Sequence, residues 1–136
     1  MIEKIIEEIK HDEGFVAHPY NDSLGIPTIG YGTKLPLDKI EAELLLEKRF
    51  NDVLVELRNT IDFFEVLPEC AKEVILNMAY NMGVPRLMKF KKMLNALELQ
   101  DFKTAAKEMV DSRWYRQVGS RATRLVMKMS ECGSLI

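Results

Sequence analysis

Glu13, Asp22 and Thr28 fall within one stretch of the chain, "HDEGFVAHPYNDSLGIPTIGYGTKL", from His11 to Leu35. Two carboxylates flanking a groove are the minimal equipment for cutting a glycosidic bond. One must be protonated to give a proton to the leaving oxygen. The other must be ionised, to activate water or to stabilise a sugar cation. Their surroundings must therefore push their pKa values apart. Glu13 precedes a glycine at a helix end, where partial desolvation against a packed lobe is expected. Asp22 lies in a polar turn, where it is expected to remain solvated and charged. A threonine hydroxyl beside such a carboxylate can both donate to and accept from a water. The same residues have plainer readings, since acids are common at helix ends, Asn-Asp-Ser is common in turns, and Thr has high strand propensity.

These residues require elements to hold them. Ile2, Ile5, Ile6 and Ile9 recur at helical spacing and predict one apolar helix face, ended by Gly14. Phe15 to Tyr20 reads as extended, "NDSLG" as a turn, and "IPTIGYG" as a second strand with Pro27 at an edge or start. Residues 15–33 thus predict a small β-hairpin or short sheet. A helical stripe follows from Asp38 to about Thr60, with Asp38 and Glu41 spaced as a capping box. At 1.5 Å per residue such a helix reaches roughly 35 Å, enough to connect two lobes. Beyond Pro68, "PECAKEVILNMAYNMG", "PRLMKFKKMLNALE", "DFKTAAKEMV", "SRWYRQV" and "SRATRLVMKMSECG" predict further helices, with Asp101 a candidate cap and the clustered methionines core filler. The expected fold class is α+β, mainly α, in a single domain. Its parts are a small lobe over about 12–37, a connecting helix over about 38–60, and a helical lobe over about 61–136 joined by the N-terminal helix 2–12.

The 136 residues, 47% hydrophobic and 29% charged, suit one globular domain, and no apolar run approaches membrane-spanning length. The net charge of −2 conceals an asymmetry. Met1–Gly83 holds 8 Lys/Arg against 16 Asp/Glu, or −8, and Val84–Lys128 holds 11 against 4, or +7. A basic half suits a polyanion such as nucleic acid or an anionic wall polymer, or simply offsets the acidic half. "MIEKIIEEIK" carries no classical secretory signal, so Cys70 and Cys132 are expected to be free thiols. His11 and His18 are isolated and read as surface or structural. Nothing resembles a phosphate loop, a nucleophilic Ser–His pair or a metal site, and no cofactor is expected.

The stretch "DEGF…Y.D..G.PTIGYG" resembles the active-site segment of phage-type lysozymes, the endolysins and muramidases of the glycoside hydrolase family that contains the T-even coliphage lysozyme. "NMAYNMG" is similar to that family's Asn-Met helix, and "SRWYRQ" followed by "RATR" to its Ser-Arg-Trp-Tyr segment and basic helix. The likeness runs in order over residues 2–130. It implies a lysozyme-like fold and hydrolysis of the β-1,4 bond between N-acetylmuramic acid and N-acetylglucosamine in peptidoglycan, with inversion. Position by position, it implies Glu13 as general acid, Asp22 as second carboxylate and Thr28 as holder of the attacking water. It further implies that Arg121 reaches Glu13, that Arg124 reaches Asp12, and that Asn81 faces the groove. Tyr31 could stack on sugar or serve packing.

Two departures stand out. Thr33 occupies the place of a customary His, and "TKLPL" is short where longer members have a loop and strand. The resemblance implies peptidoglycan glycan strands as partner, with no nucleic acid, no stable membrane insertion and a monomeric state. With no signal segment seen, accumulation in a host cytoplasm followed by release through a membrane lesion at lysis is expected. A catalytically silent wall-binding module and a lytic transglycosylase are the competing readings.

Overall fold

The structure, a computed structural model, describes residues 1–135. It resolves into two compact units, Met1–Leu46 and Glu47–Ile136. The fold is mainly helical with one small antiparallel sheet, the lysozyme-like α+β class.

In the first unit, α1 spans Ile2–Glu13 and ends where Gly14 takes φ 69° and its N–H closes on the Lys10 carbonyl at 2.9 Å. A side chain at that φ would be strained, which explains the glycine. Ile2, Ile5, Ile6 and Ile9 share one face as their spacing predicts, yet remain 46–68% exposed. Three strands follow: β1 (Val16–Asn21), β2 (Pro27–Gly30) and β3 (Thr33–Lys34), ordered β1-β2-β3 and antiparallel throughout. Pro27 begins β2, where its missing N–H removes no interior ladder bond. The expected hairpin is β1–β2. The third strand arises from "TK", a segment too short for any alternation to mark it.

Helix α2 runs Lys39–Thr60 and contributes residues to both units. Its start is the reciprocal capping box expected there: Glu41 N–H donates to Asp38 Oδ1 at 2.8 Å, and Asp38 N–H donates to Glu41 Oε1 at 3.0 Å.

The second unit holds α3 (Glu69–Met82), α4 (Val84–Leu87), α5 (Lys91–Glu98), α6 (Phe102–Val110), α7 (Arg113–Val118) and α8 (Ser120–Glu131). "PRLMKFKKMLNALE" forms two helices rather than one. The chain breaks at Phe90, whose φ −78° and ψ 59° leave the helical region while its N–H bonds back to Leu87. Asp101 caps α6 by accepting from Thr104 N–H at 3.1 Å, and Ser112 caps α7 by accepting from Tyr115 N–H. One apolar core binds these helices, centred on Leu57, Phe64, Ile75, Leu87 and Leu97. Met78, Met93, Met109 and Met129 fill its remaining gaps, all fully buried.

Cys70 on α3 and Cys132 just beyond α8 are joined in a disulfide, with Cα atoms 5.6 Å apart. This corrects the expectation of free thiols. The two are 62 residues apart in sequence, and only the packing of α3 with α8 brings them together. No helix among the described residues is long and apolar enough to cross a membrane.

Candidate active site

The first unit holds five of the residues with candidate chemistry. Glu13, the last residue of α1, is exposed, so the partial desolvation expected of it is not provided here. Its carboxylate lies over Gly32. A Cβ placed on Gly32 would stand 2.6 Å from Glu13 Oε2 and 2.7 Å from its Cδ, closer than real Cβ contacts allow. Gly32 also holds φ 74°, so the residue is glycine both for the turn between β2 and β3 and for the room it leaves the acid.

Asp22 follows directly on β1 and organises the turn into β2. Its Oδ1 accepts from Leu24 N–H at 2.9 Å and from Ile26 N–H at 2.8 Å. Its Oδ2 accepts from Lys34 Nζ at 2.6 Å. The Lys34 hydrogen bond, then the backbone donors at Ile26 and Leu24, hold the Asp22 carboxyl below its ordinary range. Only 15% of the Asp22 side chain is exposed, so its ionisation rests on partners rather than on the solvation anticipated for the turn. Lys34 in turn is held above its ordinary value, first by the Asp22 hydrogen bond and more weakly by the Glu13 carboxylate.

Thr28 lies mid-sheet, paired with Tyr20 on one side and Lys34 on the other, and is fully buried. Its hydroxyl donates to the Ile26 carbonyl at 2.8 Å. Ile26 therefore links Thr28 to Asp22, accepting at its carbonyl from one and donating at its N–H to the other. Tyr31 is exposed on one side and packs its ring 5.5 Å from that of Phe15, with Lys10 Nζ 5.9 Å from its centroid. Packing, one of its two expected roles, is thus present. Asp12 is exposed beside Glu13.

The second unit positions the remaining candidates. Arg121, near the start of α8, donates through Nε to Asn77 Oδ1 at 2.8 Å and through Nη2 to the Asn77 carbonyl at 3.3 Å. Arg124, one turn on, is exposed. Asn81 Oδ1 accepts from Trp114 Nε1 at 3.0 Å, leaving the Asn81 amide N–H groups to donate elsewhere. Asn81 and Trp114 line a cavity of about 690 Å³ together with Arg86, Lys89, Arg113 and Gln117. Trp114 itself is buried and meets Phe90 edge-on at 6.4 Å.

Sequence reasoning missed Lys34 and the specific duty of Gly32. The available signal for Lys34 was a cation shortly after "TIGYG". Without a third strand in the reading, nothing aimed it at Asp22.

The first unit thus holds an exposed acid, Glu13, and a second carboxylate, Asp22, kept ionised by fixed donors. The phage lysozyme family model matches residues 10–130, and the chain belongs to that family. It is similar to two proteins of Dictyostelium discoideum, "Probable T4-type lysozyme 1" (29% identical) and "Probable T4-type lysozyme 2" (26% identical). Each match covers 99% of this chain and 98% of the relative. It is also similar to "Pre-baseplate central spike protein Gp5" of Enterobacteria phage T4, at 28% identity over 89% of this chain and 26% of that protein. The enzyme is a lysozyme-type glycoside hydrolase whose family substrate is peptidoglycan.

Proposed function

We propose that this lysozyme hydrolyses the β-1,4 bond from N-acetylmuramic acid to N-acetylglucosamine with inversion, using Glu13 as the acid and Asp22 as the anion. The observation that carries this is the fixation of Asp22 by three donors, one of them the Lys34 that also feels the charge of an exposed Glu13. Glu13 protonates the leaving oxygen, with glycan filling the site and excluding water around it. Asp22 and Thr28 hold the water between them, the threonine oxygen through the lone pair its bond to Ile26 leaves free. Asn81 donates to sugar, Tyr31 supports the glycan through its exposed face, and Asp12, Arg121 and Arg124 are supporting polar groups.

The enzyme acts as a monomer on glycan strands without binding nucleic acid or inserting stably in a membrane. Its setting is host lysis by a phage or prophage, with storage in the cytoplasm before release. The test is mass analysis of the sugars released from purified wall in 18O-water by the parent, by Glu13→Gln and by Asp22→Asn. Reducing muramic ends carrying 18O from the parent alone support the assignment. Anhydro-muramic ends, or full activity in either variant, contradict it.

A further inference from the structure

We propose that Lys34 is a positioning residue for the hydrolysis, holding Asp22 so that the carboxylate offers water one fixed lone pair. The inference rests on the assignment of Asp22 to the reaction. An ionised carboxylate has about four acceptor sites. Two on Oδ1 are filled by Leu24 and Ile26 N–H, and one on Oδ2 is filled by Lys34 Nζ at 2.6 Å. One direction is left. The backbone donors belong to the turn and fix Oδ1 along with it. Lys34 fixes Oδ2 and favours the ionised form more strongly than either backbone donor, because a cation so close stabilises the anion directly.

The geometry explains why a lysine stands here. Lys34 is opposite Thr28 in the β2–β3 register, in line with the end of β1 across the sheet. A long stem is needed to cross from β3 to the carboxylate, and a compact ammonium meets one oxygen rather than gripping both. The groups facing Lys34 are Asp22 after β1, Tyr20 on β1 and Glu13 at the end of α1. Its charge therefore acts on both proposed carboxylates, most strongly on the one it touches. Lys34 is 52% exposed, and an ordinary surface ion pair of that exposure contributes little to folding. A merely structural Lys34 would accordingly leave kcat and its pH profile unmoved, even though the pair itself shifts the titration of Asp22.

The experiment compares the full-length parent with Lys34→Met and Lys34→Arg, using soluble peptidoglycan fragments as substrate. We expect Lys34→Met to lower kcat by about 10- to 100-fold, the scale of a misplaced reacting group. KM should hold within about twofold, since the ground-state glycan contacts are untouched. The acid limb of kcat/KM should move to higher pH, and Lys34→Arg, which keeps the charge but can grip both oxygens, should restore the original limb and only part of kcat. In parallel, the carboxyl carbon of Asp22 is titrated by NMR in the parent and in Lys34→Met, a readout that needs no activity. Its midpoint should rise in the variant. An unchanged midpoint overturns the proposal whatever happens to kcat, and so does an unchanged kcat with a shifted midpoint. Full activity in Asp22→Asn, by contrast, would remove Asp22 from the reaction while leaving the pairing itself intact.

Discussion

Met1–Leu46 and Glu47–Ile136 are held together by different forces. In the second unit a continuous apolar core runs from Leu57 to Cys132, and among the described residues every buried apolar side chain belongs to it. In the first, Thr28 alone among the described residues is buried. The order of that unit comes from glycines at positive φ, short strand ladders, the Asp22 turn and the Lys34 ion pair. Directional bonds orient a carboxylate in a way that non-directional burial does not. The residues assigned to proton chemistry lie in the unit built by directional bonds, and the bulk of the apolar stabilisation lies in the other. Substitutions should therefore separate activity from stability according to where they fall.

The largest stability effect should come from the core. Phe64→Ala removes a fully buried ring and should cost about 3–5 kcal/mol in denaturant unfolding, with kinetic constants preserved wherever the variant stays folded. Breaking the Cys70–Cys132 link comes next. Closing a 62-residue separation constrains the unfolded chain, and its loss in a Cys70→Ser/Cys132→Ser double variant should cost about 3–4 kcal/mol. The same urea series checks both. An effect of either on kcat larger than on stability would blur the contrast.

Gly32→Ala probes the opposite case. A residue with a Cβ at φ 74° costs about 1–2 kcal/mol, a modest change in melting temperature. The new methyl would stand 2.6 Å from Glu13 Oε2 and force the carboxylate to shift, so hydrolysis should fall far more than stability. The smallest effect is in pH. The Asp22 pKa is depressed, so its stabilisation is complete above the ordinary carboxylate range near 4 and fades as pH falls through the folded value. The Lys34 pKa is raised, so its contribution is complete below the ordinary lysine value and fades as pH rises through the folded one. Asp22→Asn should flatten the acid side of the stability–pH curve slightly, a change that melting curves between about pH 2 and 5 would register.

What the sequence revealed followed the range of the interactions involved. The capping box at Asp38 and Glu41, the Asp101 cap and the stop at Gly14 depend on neighbours within a few residues, and each forms where the letters place it. The Lys34–Asp22 pair, the Arg121–Asn77 bonds, the Trp114–Asn81 bond and the disulfide all join distant positions, and no spacing announced them. The two-residue strand β3 lay between these cases, too short for periodicity yet decisive for aiming Lys34. Glu13, Asp22 and Thr28 were singled out through family resemblance. The way Asp22 is kept ionised was not legible, because it depends on a partner twelve residues away across a sheet.

The most direct test of this division is the paired measurement of wall hydrolysis and thermal unfolding for Glu13→Gln. Loss of a general acid should reduce hydrolysis by about 100- to 10,000-fold, while an exposed helix-end substitution leaves the unfolding midpoint within a few degrees of the parent. Hydrolysis at the parental rate by a folded Glu13→Gln would contradict the account at its centre.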